Sequence, residues 1–160
     1  MNLSSLSAFL EPTPQYKQLS ETLHKPSASA TVQAMPDATP FLLTTLWRDL
    51  DVPVLVIAPK PEEARRLHEN LLAWSGDDDS VLHFSETETL PFERVVTEID
   101  TAQQRLRALY ALTTGARPPM VVASSVAVAQ RTLDRNSFES SVHTLKVNDE
   151  VDLEDLLGQW

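Results

Sequence analysis

Eight residues, Ala34-Met35-Pro36-Asp37-Ala38-Thr39-Pro40-Phe41, stand where the sequence predicts that a strand runs into a helix. That is where an α/β protein holds a phosphate. A phosphate loop of the pattern G-x-x-x-x-G-K-[ST] uses glycines to wrap backbone amides around the anion and a lysine to neutralise it. Here Ala34 and Thr39 occupy the glycine positions, Pro36 and Pro40 remove amide donors, Asp37 repels phosphate and Phe41 cannot ligate magnesium. The only glycines are Gly76, Gly115 and Gly158, and the only lysines are Lys17, Lys25, Lys60 and Lys146, so no Gly-Lys pair exists. Nucleotide hydrolysis is therefore not expected of this chain. Two explanations stay open: a phosphate loop that has lost its chemistry, or an α/β scaffold that never had one.

Other constellations are weaker. Ser124-Ser125 follows a strand, but no G-x-S-x-G elbow surrounds it. Glu86, Glu88 and Glu93 could pair as acid and base, although carboxylates on a polar loop are ordinarily just solvated. Arg65, Arg66, Arg105 and Arg107 are the candidate contacts to a partner or a DNA backbone. Their default reading is intramolecular pairing with the excess acids. His24, His68, His83 and His143 show no i, i+4 pairing and there is no cysteine, so neither a metal site nor a disulfide is expected.

The balance of 13 Lys plus Arg against 23 Asp plus Glu, a formal charge of −10 over 160 residues, opposes tight nonspecific binding to duplex DNA. The length allows one domain with a real core, or one domain and the start of another. No apolar run approaches the ~20 residues that cross a bilayer, and Met1-Asn2-Leu3-Ser4 lacks a basic leader, so a cytoplasmic location without a membrane partner is expected.

The elements that would position these residues follow from periodicity. Leu3 to Leu10 and Pro14 to His24 read as short helices, the second capped by Thr13. Ser29 to Met35 alternates as a strand, Pro36-Asp37 turns it, and Leu42, Leu43, Leu46, Trp47 and Leu50 form one helical face. Val52 to Ala58 is a β-branched run expected to be buried on both faces of a parallel sheet. Pro61 opens a helix with Ala64, Leu67, Leu71 and Trp74 inward, and Ser75 to Ser80 ends it in a loop. Val81 to Phe84 is a strand and Ser85 to Thr97 a long loop. Asp100 caps a helix with Ala102, Leu106, Leu109 and Leu112 inward, stopped by Thr114-Gly115. Met120 to Ser124 is a buried strand, Val126 to Gln130 a short helix, Ser140 to Val147 a strand, and Asp152 to Trp160 the start of a helix.

Strands alternating with helices predict a three-layer α/β domain with a mainly parallel sheet, whose ligands bind at the carboxyl ends of the strands. Those ends are the turns after Met35, Ala58, Phe84 and Ser124. The expected organisation is a helical preamble over 1–26, the α/β domain over 27–137, and the beginning of a further domain over 138–160.

The stretch from Val54 to Leu67, read as VLVIAPKPEEARRL, resembles helicase motif Ia as it occurs in the excision-repair helicase UvrB and its relatives. Gln104 to Leu109 and Met120 to Val126 are similar to a later helix and strand of the same superfamily. The loop SETETLPFER, from Ser85 to Arg94, and the stretch from Leu145 to Leu157 are similar to the bacterial transcription-repair coupling factors. UvrB has an intact phosphate loop and an aromatic damage-probing hairpin before the arginine-bearing helix. Only 21 residues lie between His83 and Arg105 here, too few for that hairpin.

The resemblance implies a fold of the P-loop/helicase type with a degenerate phosphate loop, and a non-catalytic module that needs no cofactor of its own. In such coupling factors ATP and magnesium serve a DNA-translocating motor that displaces stalled RNA polymerase, while the protein recruits UvrA. On that reading the motor, the polymerase-binding domain and most of the UvrA-binding surface follow Trp160, and Leu156 to Trp160 is an interrupted helix. Two alternatives remain: an ATP-binding helicase domain, and a stand-alone α/β protein-interaction module.

Overall fold

The computed structural model describes residues 3–87, 99–114, 117–143, 145, 147, 152 and 154. Among them the architecture is α/β: three parallel strands flanked by helices on both faces. A 3-10 turn over Ser4–Leu6 leads into α1 (Ser7–Leu10) and α2 (Pro14–Leu23), and a second over Pro36–Ala38 leads into α3 (Thr39–Leu50). Then come β1 (Val54–Ala58), α4 (Pro61–Ser75), β2 (Val81–Phe84), α5 (Ile99–Thr114), β3 (Met120–Ser124), α6 (Ser125–Ala129) and α7 (Arg135–Ser141). The sheet order is β1-β3-β2, so the last strand enters between the first two. Leu55 pairs with Val121, which pairs with Leu82; Ile57 likewise pairs with Ala123 and through it with Phe84.

That register sorts the core into two halves. On one face Val54, Val56, Ala58, Met120, Val122 and Val81 pack against Trp47 of α3 and Ala64 and Leu71 of α4. Pro61 at the first turn of α4 and Glu62 and Glu63 beside it suit the positive end of the helix dipole, and Gly76 closes the helix in the left-handed region at φ 63°. Phe41 of α3 meets Trp74 of α4 at 4.9 Å between ring centroids. On the other face Ala108 of α5, wholly buried, sits on Leu82 and Val121 with Ala111 and Phe84 beside it.

Helix α5 covers β2 and β3 but not β1. Leu55 and Ile57 are therefore 55% and 53% exposed, and β1 is buried on one face where burial on both was expected. The free edge of β1 is also blunted. The amide of Val54 donates to Pro119 O at 2.9 Å, so alternate residues Pro53, Leu55, Ile57 and Pro59 turn their backbone outward. Proline has no N–H, which leaves only Leu55 and Ile57 as outward donors. Prolines that shorten an exposed edge are a known defence against edge-to-edge pairing.

Three further expectations need correction. Residues 29–35 form no strand; the segment is almost wholly exposed and pairs with nothing in the described sheet, because alternation alone cannot hold a strand without a partner edge. The expected strand over Ser140–Val147 is also absent among the described residues. Ser140 and Ser141 end α7, which Asp134 caps by accepting from the Ser137 amide at 3.1 Å. Helix α5 is rotated from the predicted stripe: Leu106 and Leu112 are half-exposed, and Arg105 with Ala108 faces inward. The inner face of α3 carries the buried Thr44 and Thr45, whose hydroxyls donate back to Pro40 O and Phe41 O at 2.8 and 2.9 Å. Most of the loop expected over 85–97, Gly115 and most of the expected helix over 152–160 lie outside the described residues.

Helix α2 lies against α3. Tyr16 is buried, and its hydroxyl and that of Ser20 both donate to Asp49 Oδ2, at 3.2 and 2.5 Å. Thr13 caps α2 as expected, accepting from the Tyr16 amide at 3.4 Å. Among the described residues no helix is long and apolar enough to cross a membrane.

Candidate functional site at the carboxyl ends of the sheet

Strands β2 and β3 end side by side at Phe84 and Ser124, and the side chains of Phe84, Glu86, Thr87, Arg105, Ser124 and Gln130 meet there. Ser124 is fully buried because its hydroxyl has two partners: it accepts from the Ala127 amide at 3.0 Å, capping α6, and donates to Glu86 Oε2 at 2.9 Å. Next to it Ser125 Oγ donates to Pro59 O at 2.8 Å, tying the start of α6 to the turn after β1. All three sheet turns are thereby linked.

Arg105 enters from α5. It is only 8% exposed, with its guanidinium carbon 4.0 Å from the centre of the Phe84 ring and Nη1 donating to Ser85 O at 2.7 Å. A longer contact, 3.4 Å, reaches Gln130 Oε1. Burial pulls the Arg105 guanidinium below its ordinary value and Glu86 pulls it back up. Both the stack and the carbonyl suit a cation removed from water, because the ring face and the oxygen are each negative.

Gln130 completes the cluster. Its Oε1 accepts from the Thr87 amide at 2.9 Å while its Nε2 donates to Thr87 O at the same distance, so the side-chain amide pairs with a peptide as a neighbouring strand would. Thr87 Oγ1 adds a contact to the same oxygen at 3.2 Å. Residues 85–87 are thus fixed at every step before the chain continues into the E-T-L-P segment. The Ser85 hydroxyl is buried with no protein partner. Chemically this arrangement anchors a loop. Its acceptors and donors face one another, and its carboxylate, Glu86, points away from an anion-binding role.

The sequence-predicted residues scatter. Of the four arginines Arg105 alone belongs to the cluster, as an internal anchor that is almost wholly covered, while Ser124 and Glu86 are there as each other's hydrogen-bond partners. Arg65 and Arg66 lie on exposed positions of α4, Arg65 paired with Glu69 at 2.9 Å. Arg107, also exposed, is 3.7 Å from Asp79. The turn from Ala34 to Phe41 has no strand before it and so does not stand at a carboxyl end. Ala34 is exposed, Asp37 lies in the 3-10 turn, Thr39 Oγ1 donates to Met35 O at 3.4 Å, Pro40 is buried, and Phe41 packs on Trp74. A groove of about 530 Å³ between α2, residues 30–34 and α3 is lined by Leu10, Tyr16, Leu19, Val32, Phe41 and Leu42, and no residue of the cluster lines it.

Two groups went unseen in the sequence. Gln130 and Thr87 are 43 residues apart, and no local signal joins them. His68 and His83, which lack metal-ligand spacing, stack face to face with centroids 5.4 Å apart. Strand parity combined with the α4 stripe would have brought that pair to notice. Among the described residues no group of three or more acidic or histidine side chains is arranged to hold a metal ion. Compared with known protein families and with curated proteins, the chain matches neither a family model nor a characterised sequence.

Proposed function

We propose that this chain is a non-catalytic, protein-binding module of the kind that begins a bacterial transcription-repair coupling factor, built on a helicase-type α/β domain whose phosphate loop is degenerate. The observation that carries the reading is the closed carboxyl end of the sheet. Where a nucleotide-binding site needs open amides and a lysine, Ser124 is paired with Glu86, and Arg105 and Gln130 hold the backbone of Ser85 and Thr87, just before the E-T-L-P residues. The motif Ia-like run from Val54 to Leu67 and the serine-bearing strand from Met120 lie next to each other as β1-α4 and β3, in keeping with the resemblance.

In this reading UvrA is engaged chiefly through a domain after Trp160, and RNA polymerase, DNA, ATP and magnesium belong to later domains of the whole protein. The module's own part is to shape and restrain that UvrA-recruiting surface. Two measurements test it. Calorimetry with ATP and magnesium is expected to show no saturable binding, and micromolar affinity returns the chain to the nucleotide-binding helicases. UvrA is expected to be captured by a chain extended through the following domain. If no extended chain captures it, the coupling-factor reading fails and a stand-alone interaction module takes its place.

A further inference from the structure

Two histidines meet on the face of β2 that α4 covers. His83 lies on that face beside Val81, and His68 stands on α4 between the buried Ala64 and Leu71. Their rings stack at 5.4 Å with 24° between planes. His68 Nε2 is 3.2 Å from Val81 O, and because a carbonyl only accepts, that nitrogen carries the proton. His83 Nε2 is buried with no partner, and Gln104 of α5 acts on the ring only by favouring its charged form. An unpaired buried N–H costs more than an unpaired lone pair, so the neutral ring holds its proton on Nδ1 and presents Nε2 bare.

We infer that the His68–His83 stack is a proton-operated latch: neutral, it holds α4 on β2, and proton uptake drives the two rings apart and loosens β2 and the Ser85–Thr87 segment it leads into. The inference is independent of the proposed function. A proton on His83 Nε2 would be buried without an acceptor, and protons on both rings would set two cations 5.4 Å apart. The charged groups around the pair do not cancel this. Arg65 of α4 opposes charge on His83, and Glu86 favours it; Glu69 of α4 and Asp78 of the following loop favour charge on His68. From β3 the residue in register with His83 is the apolar Val122, and from α5 the uncharged Gln104.

Burial is the largest influence on both rings and lowers both below the ordinary 6.5. The open state therefore takes up protons as the pH falls through about 6.5, where the closed state still refuses them. Closure is complete above that value and is lost progressively beneath it.

Hydrogen exchange of the β2 amides, read residue by residue and corrected for intrinsic rates, tests the latch together with the imidazole titrations of the intact chain. Exchange at His83 and Phe84 is expected to rise at least about tenfold between pH 7.5 and 5.5, the equivalent of one disfavoured proton over one pH unit. Both imidazoles are expected to titrate below 6.5. His83→Phe and His68→Gln, the second keeping a donor for Val81 O, should each flatten the response, and His143→Gln should not. Midpoints at or above 6.5 in the unmodified chain, or a full pH response surviving in both variants, would overturn the inference. The wild-type titration decides the matter even if His83→Phe fails to fold.

Discussion

The Arg105 guanidinium carbon sits over the Phe84 ring, 4.0 Å from its centre, while Nη1 reaches the next carbonyl, Ser85 O, at 2.7 Å. One side chain thus reads two consecutive residues of β2 and its exit. This explains why α5 turns an arginine inward and leaves Leu106 and Leu112 half-exposed. With the cation stacked and paired, the helix sits close to the sheet through Ala108, which has no bulk to hold it off.

Removing that contact should be costly. Arg105→Ala is expected to lower unfolding stability by about 3 kcal/mol in urea melts, combining a charged hydrogen bond with a cation–π contact. Arg105→Lys should recover only part of the loss, since an ammonium lacks the planar stack. Arg65→Ala and Arg107→Ala should each stay within about 0.5 kcal/mol, as exposed ion pairs do. An Arg105→Ala variant as stable as wild type would remove it from the anchoring role.

Gln130→Ala should free residues 85–87 without unfolding the domain. Losing two peptide-like hydrogen bonds costs about 2 kcal/mol locally. The expected readout is faster amide exchange at Thr87, with the exchange of Val121 and Val122 in the central strand unchanged. Equal acceleration in β3 would mean that Gln130 supports the whole sheet.

The Tyr16–Asp49 contact should make α2 docking sensitive to alkali. Burial raises the phenol well above its ordinary 10.0, and Asp49 raises it further. Stability from this group is therefore complete below pH 10 and lost as the pH rises beyond it. Absorbance titration should show one tyrosine ionising late, and Tyr16→Phe should abolish the late step and cost about 1–2 kcal/mol.

The two sides of β1 should answer differently to the same substitution. Leu55→Lys and Ile57→Lys place charge on a face already open to water and should change stability by less than about 1 kcal/mol while raising solubility. Val56→Lys, one residue away but packed toward Trp47 and Met120, should cost about 3 kcal/mol or more. Similar losses at all three positions would mean that the outer face of β1 is covered in solution.

How far the sequence could be read depended on the range of the forces involved. Local signals carried the elements well. Pro61 with two glutamates and a distal Gly76 defines α4, Thr13-Pro14 starts α2, and the β-branched runs at Val54 and Met120 are both strands. Asp134, followed by Ser137 and an Arg135–Glu139 pair, is an equally local start signal for α7, and it outweighs the alternation beyond Ser140. Ser29–Met35 shows the converse failure. Its alternation is real, but a strand exists only when another edge accepts its hydrogen bonds.

The candidate site was legible only in outline. Sheet topology points to four turns, after Met35, Ala58, Phe84 and Ser124, of which the first follows no strand, and nothing local separates the buried Arg105 from the exposed Arg65, Arg66 and Arg107. That Arg105 is buried, that it pairs with Ser85 O, and that Gln130 clasps Thr87 all depend on contacts 20 to 43 residues apart. By itself the sequence determined that no G-x-x-x-x-G-K-[ST] pattern occurs, because glycines, lysine and amide donors are matters of residue type. Only the tertiary structure decided which face of β1 and α5 meets the core, and that two lone histidines share one space. Burial and pairing are set by what the chain brings alongside a residue, and residue type alone does not specify its neighbour.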